Sequence, residues 1–122
     1  IQEANVGNED VGIAPKHTPG LPNIDFRKVK DDLDKVVELM PDFACAYFNR
    51  ANVSAKLSDF KSAIVDYTKA VEMDSRFAEA YFNRALVYTY VGENDKAIID
   101  LSKAGELGMV PAYNVIKIIS EN

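Results

Sequence analysis

One nine-residue stretch is written almost twice: FACAYFNRA from Phe43 returns as FAEAYFNRA from Phe77, 34 positions on. The offset runs past that opening, pairing Val53 with Val87, Ala63-Ile64 with Ala97-Ile98, Asp66 with Asp100, Lys69-Ala70 with Lys103-Ala104, and Glu72 with Glu106. Self-similarity at such a period marks stacked units, each burying its apolar face only against its neighbours. The repeat therefore restricts the fold before any other feature is considered.

Within each copy the spacing is helical. Tyr47, Ala51 and Ser54, then Tyr81, Ala85 and Tyr88, recur at i, i+4, i+7 and share one face of a first helix. Phe60, Ala63, Ile64, Tyr67, Ala70 and Val71 form the stripe of a second helix, echoed by Ala97, Ile98, Leu101 and Ala104. Ser58-Asp59 and Gly92 supply turn and cap chemistry between the two. Small residues opposite aromatic ones let neighbouring helices approach closely while the rings fill the remaining space. Reading backwards, Phe26, Val29, Leu33, Val36 and Pro41 keep the same register; reading forwards, the segment from Pro111 does, with Val115, Ile118 and Ile119 expected inward. Six helices are expected, near 26–39, 44–57, 60–73, 78–91, 94–107 and 111–121.

The period, the aromatic-then-small pairs Tyr47/Ala51 and Tyr81/Ala85, and the second-helix sets Ala63/Tyr67/Ala70 and Ala97/Leu101/Ala104 resemble tetratricopeptide repeats over about residues 25–122. The resemblance implies an all-α, right-handed solenoid of antiparallel helix pairs. It divides the chain into an extended arm (1–24), a half repeat (25–41), full repeats (44–77 and 78–111) and a capping helix (111–122). Two departures stand out. Arg50 and Arg84 occupy a position often held by Leu in the family, and the closing Pro, present as Pro41, is replaced by Ser75 and Met109, which leaves the repeat-boundary geometry open, above all near Gly108, but not the fold.

Composition narrows the function. With 48% hydrophobic and 27% charged residues in 122, the chain reads as globular, and no apolar run nears the ~20 residues of a membrane span. A net charge of −5 disfavours nucleic acid and anionic membranes, both of which require a basic face. Cys45 is the only cysteine, so neither a disulfide framework nor a thiolate metal cluster is expected. No signal peptide is visible, making a cytoplasmic setting the default expectation; the opening Ile1 in place of Met suggests a longer parent protein.

Catalysis finds no candidates. His17 stands in the loop-like APKHTPG without an orienting partner, and Asp31, Asp32 and Asp34 alternate with Lys28, Lys30 and Lys35 as a solvated, ion-paired face. No nucleotide, calcium or zinc motif occurs, so no cofactor or metal is expected. Met40, Met73 and Met109 fall at helix ends, where packing explains them, and the Asn52-Val53-Ser54 sequon lies in an expected helix.

The resemblance further implies that the first helices line a concave groove whose non-core face meets a ligand. By position that face carries Cys45, Phe48, Asn49, Asn52 and Lys56, then Glu79, Phe82, Asn83, Leu86 and Tyr90, then Tyr113, Ile116 and Lys117. Phe48 and Phe82 are open to a second reading, in which each ring packs on an adjacent helix. Apolar area mixed with amides suits a peptide. One branch of the family grips chaperone C-terminal carboxylates with two lysines, two asparagines and an arginine; Asn52 and Asn83 match the asparagines, but Phe48 and Tyr113 replace the lysines and Lys117 the arginine. The expected function is a non-catalytic module binding a protein or peptide partner, with a homodimer formed through the first helix or the arm as the alternative. The arm, broken by Gly12, Pro15, Pro19, Gly20 and Pro22, cannot supply the missing partner helix and is expected to lie extended over the Phe26, Val29, Leu33 and Val36 face or in a groove, of its own chain or of a neighbour in a dimer, or to remain frayed.

Overall fold

The computed structural model describes residues 23–121, among which there are six helices and no strand. They are α1 (Phe26–Leu39), α2 (Ala44–Lys56), α3 (Phe60–Met73), α4 (Ala78–Tyr90), α5 (Asn94–Glu106) and α6 (Pro111–Ser120), each packed on the next. Residues 1–22 of the arm, and with them its docking over α1, lie outside the described residues.

Local chemistry fixes the ends. The Asp25 carboxylate accepts from the Arg27 and Lys28 amides at 3.1 and 3.2 Å, and Asp59 accepts from the Ser62 amide at 3.2 Å. Hydrogen bonding from Ser62 holds the Asp59 carboxyl below its ordinary range. At the C-termini of α2, α4 and α5 the chain turns left-handed at Ser58 (φ 61°), Gly92 (φ 86°) and Gly108 (φ 108°). At each, the next amide bonds back to a helix carbonyl five residues earlier: Asp59 to Ser54, Glu93 to Tyr88 and Met109 to Ala104. By contrast α1 and α3 run out through Met40 and the extended Asp74.

Alanines set the spacing. Ala51, Ala63, Ala70, Ala80, Ala85, Ala97, Ala104 and Ala112 are fully buried, and Tyr67 and Leu101 fill the space they leave. The Tyr47 hydroxyl donates to the Pro41 carbonyl at 2.9 Å and Tyr81 to the Ser75 carbonyl at 3.1 Å. Because the acceptor is main chain, the bond survives the exchange of Pro for Ser.

The last helix departs from the period. Ile118 is 61% exposed, while Ile116 joins Val115 and Ile119 against the core around Leu101, so the expectation of an inward Ile118 and a groove-facing Ile116 is corrected. The cause is the turn at Gly108, which has the form found inside a repeat, after α2 and α4, and not that found after α3. In α1 no residue is fully buried; Phe26, Leu33 and Val36 are half-buried and Val29 is exposed.

Candidate peptide-binding groove

Between the C-terminal halves of α2 and α4 lies a hollow of about 450 Å3, lined by Asn52, Ala55 and Lys56 of α2, Asn83, Leu86, Val87 and Tyr90 of α4, and Phe60 and Tyr67 of α3. Five residues expected from the sequence therefore meet here: Asn52, Lys56, Asn83, Leu86 and Tyr90. Leu86 and Tyr90 remain 45% and 74% exposed, and the Tyr90 ring meets Phe60 edge to face at 4.7 Å, which fixes the orientation of an otherwise free aromatic.

The floor is polar. The buried Tyr67 hydroxyl donates to Asn52 Oδ1, which also accepts from Asn83 Nδ2 at 3.0 Å, so one carboxamide oxygen joins three helices. Burial drives the Tyr67 phenol pKa up to about 12. Donor and acceptor geometry at the floor is consequently fixed before any ligand arrives.

The other expected positions separate. Phe48 packs inward, 4.7 Å from the Phe77 ring and 6.0 Å from Tyr67, and Phe82 packs on the core around Leu101, so both rings take the second of the two readings. Cys45, Asn49 and Glu79 are exposed on the N-terminal halves of α2 and α4, outside the hollow. Tyr113 and Lys117, on α6, also lie outside it; the Tyr113 ring rests on the α5 backbone at Gly105, where an added Cβ would stand 2.5 Å from Cζ. Phe60 and Tyr67 contribute from a second helix, a role the core stripe conceals in sequence. The signal available was the Tyr67 hydroxyl, since a buried phenol requires a partner.

Beneath the helices, Arg50 and Arg84 form the polar framework. Arg50 pairs with Asp66 of α3 and Asp34 of α1, and Arg84 with Asp100 of α5 and Thr68 of α3. The arginines thus replace an apolar core contact by a hydrogen-bonded bridge. Among the described residues no group of acidic, histidine or cysteine side chains is placed to hold a metal, and no helix is long and apolar enough to cross a membrane.

Two tetratricopeptide repeat family profiles match the sequence, over residues 44–77 and 66–99. No curated protein sequence matches the chain. Among solved structures, MamA is similar at 28% identity and a TM-score of 0.76, covering 79% of this chain, which spans only 57% of the MamA chain. The TPR2B domain of yeast Sti1, solved in a pHsp70 complex, is similar at 27% identity and a TM-score of 0.75, covering 80% of this chain and 84% of that one. The first TPR of Spaghetti (RPAP3), bound to an HSP90 peptide, shares the fold at 23% identity, with a TM-score of 0.75 over 79% of this chain and 78% of its own. With the repeat written twice in sequence, the same helix pairs in space and both profiles on those pairs, residues 44–99 are tetratricopeptide repeats.

Proposed function

We propose that the chain is a non-catalytic protein-interaction module that holds a peptide segment of a partner in the hollow between α2 and α4. The observation that carries this reading is the hollow's construction: apolar walls from Leu86, Val87 and Tyr90 over a floor of paired carboxamides. Asn52 keeps its amide donors, and Asn83 its carbonyl oxygen and one N–H, for a peptide main chain, while the walls take its side chains. The pHsp70 complex of the Sti1 domain supports the general mode, a protein ligand on this fold. The identity of that ligand does not transfer. A carboxylate clamp depends on charge-assisted bonds, and at its lysine positions stand Phe48, turned into the core, and Tyr113, resting on Gly105. The segment bound is therefore internal or apolar, and not a chaperone tail.

The test is the double substitution Asn83→Asp with Leu86→Glu, made in the full chain and checked for helicity. A partner captured by crosslinking to wild type should bind the folded variant at least tenfold more weakly. Unchanged binding would remove the groove from consideration.

A further inference from the structure

The two repeats differ at one place that neither the groove nor the core requires. In the second repeat, the Tyr88 ring is packed against the core, with the Arg84 guanidinium carbon and Lys96 Nζ each 5.7 Å from its centroid. In the first repeat the matching residue is Ser54, and a cavity of about 430 Å3 takes the place of a ring. Its lining residues Lys30, Arg50, Lys61, Ser62, Val65 and Asp66 are the 34-residue counterparts of Ile64, Arg84, Asp95, Lys96, Ile99 and Asp100. Among its lining residues Ser54 is fully buried, and its Oγ has no hydrogen-bond partner.

We propose that this cavity is a receptor for a tyrosine side chain carried on an acidic segment of a partner protein, distinct from the groove between α2 and α4. Three observations define the ligand. The framework around the hole, an arginine held by an aspartate sixteen residues on, is the one that encloses Tyr88, so its shape fits an aromatic ring. Once turned about χ1 from its sealed position, the orphaned Ser54 hydroxyl supplies a polar contact for a phenol, and a buried hydroxyl without one is costly. The rim has gained positive charge: Ile64, Asp95 and Lys96 in the filled repeat become Lys30, which also reaches Asp34 at 3.4 Å, Lys61 and Ser62 in the open one, so the residues flanking the ring would be acidic. The volume lies within the ~300–1,000 Å3 of small-ligand sites.

The experiment is a titration of the 15N-labelled full chain with the blocked tripeptide Ac-Glu-Tyr-Glu-NH2, read as amide shift changes. Changes should gather at Lys30, Arg50, Ser54, Lys61, Ser62 and Val65, weaken at least fivefold for Ac-Lys-Tyr-Lys-NH2, and weaken several-fold in Ser54→Ala, which keeps the space and loses the hydroxyl. Ser54→Tyr should fill the site from within, abolish the changes and raise Tm by about 4–8 °C. Absent changes, or changes persisting in Ser54→Tyr, overturn the proposal, as does loss of helicity in Ser54→Tyr, which would mean that the cavity rejects a ring. Changes confined to Asn52, Asn83 and Tyr90 also overturn it while leaving the groove reading intact.

Discussion

Arg50 and Asp66 meet at two points, Nε to Oδ2 at 2.7 Å and Nη2 to Oδ1 at 3.0 Å, and the remaining guanidinium nitrogen reaches Asp34 at 3.0 Å. One repeat later Arg84 grips Asp100 at 2.7 Å twice and finds Thr68 Oγ1 at 2.9 Å where Asp34 would be. In both, the hydrogen-bonded carboxylate outweighs burial and raises the guanidinium pKa above its ordinary value.

The two pairs should respond differently to removal of the acid. Asp100→Ala leaves Arg84 in the interior with no counter-charge and should cost ~3 kcal/mol, the scale for breaking a buried pair from one side. Asp66→Ala should cost less, because Arg50 keeps Asp34. Replacing both Arg84 and Asp100 by Leu should return stability to within ~1 kcal/mol of wild type in urea unfolding, since the desolvation penalty disappears with the charges.

How much of this was legible depended on the kind of signal. The positions of Tyr47, Ala51, Ala63 and Ala70 announced the helices because burial on one face writes a 3.6-residue period into the sequence. Arg50 and Arg84 carry no such period. An ion pair sixteen residues apart is a contact between helices, and its only trace was that Asp66 and Asp100 repeat together with the arginines. Within the groove, Asn52, Leu86 and Tyr90 followed from helix position, whereas the inward turn of Phe48 depends on Phe77 in another helix. The setting of α6 depends on the dihedral angle of Gly108, which a count by 34 cannot contain.

Gly105 and Tyr113 provide a second test. Gly→Ala gains ~1 kcal/mol in a helix interior and part of that in a last turn, where Gly105 lies in α5. Here the added methyl would stand 2.5–2.9 Å from three atoms of the Tyr113 ring, so Gly105→Ala should instead lose ~1 kcal/mol as the ring is displaced. In a Tyr113→Ala background the same change should recover the gain. A thermal double-mutant cycle showing no coupling would contradict the close approach.

Alkali should weaken the fold through Tyr67. Its folded pKa of about 12 lies above the ordinary 10.0, so the folded state retains this proton where the unfolded chain releases it. The sign follows: the contribution is fully present below pH ~10 and lost progressively between pH ~10 and ~12, amounting to ~2–3 kcal/mol. Absorbance at 295 nm should show a phenol titrating near pH 12 that Tyr67→Phe removes. Tyr67→Phe should flatten that part of the stability profile.

Added salt should act unevenly along the chain. The Arg50–Asp34 contact ties α1 to α2 through a carboxylate that is 42% exposed, whereas Arg84 ties α3 to α4 through the uncharged Thr68. Screening weakens an exposed ion pair and leaves a neutral hydrogen bond largely untouched. Hydrogen exchange in α1 should therefore accelerate with ionic strength while α4 stays protected, the reverse outcome counting against an ionic seam.

The alternation of charged and neutral seams has a mechanical consequence. A row of stacked helix pairs opens like a zip, and the first tooth to part is the one with the weakest grip. In α1, which has no fully buried residue, the Asp34 link is a large share of the hold, so the described helices should come undone from that end. The cavity at Ser54 is bordered on that side by Lys30 of α1, so the first tooth to part is also the wall of the hole beside it.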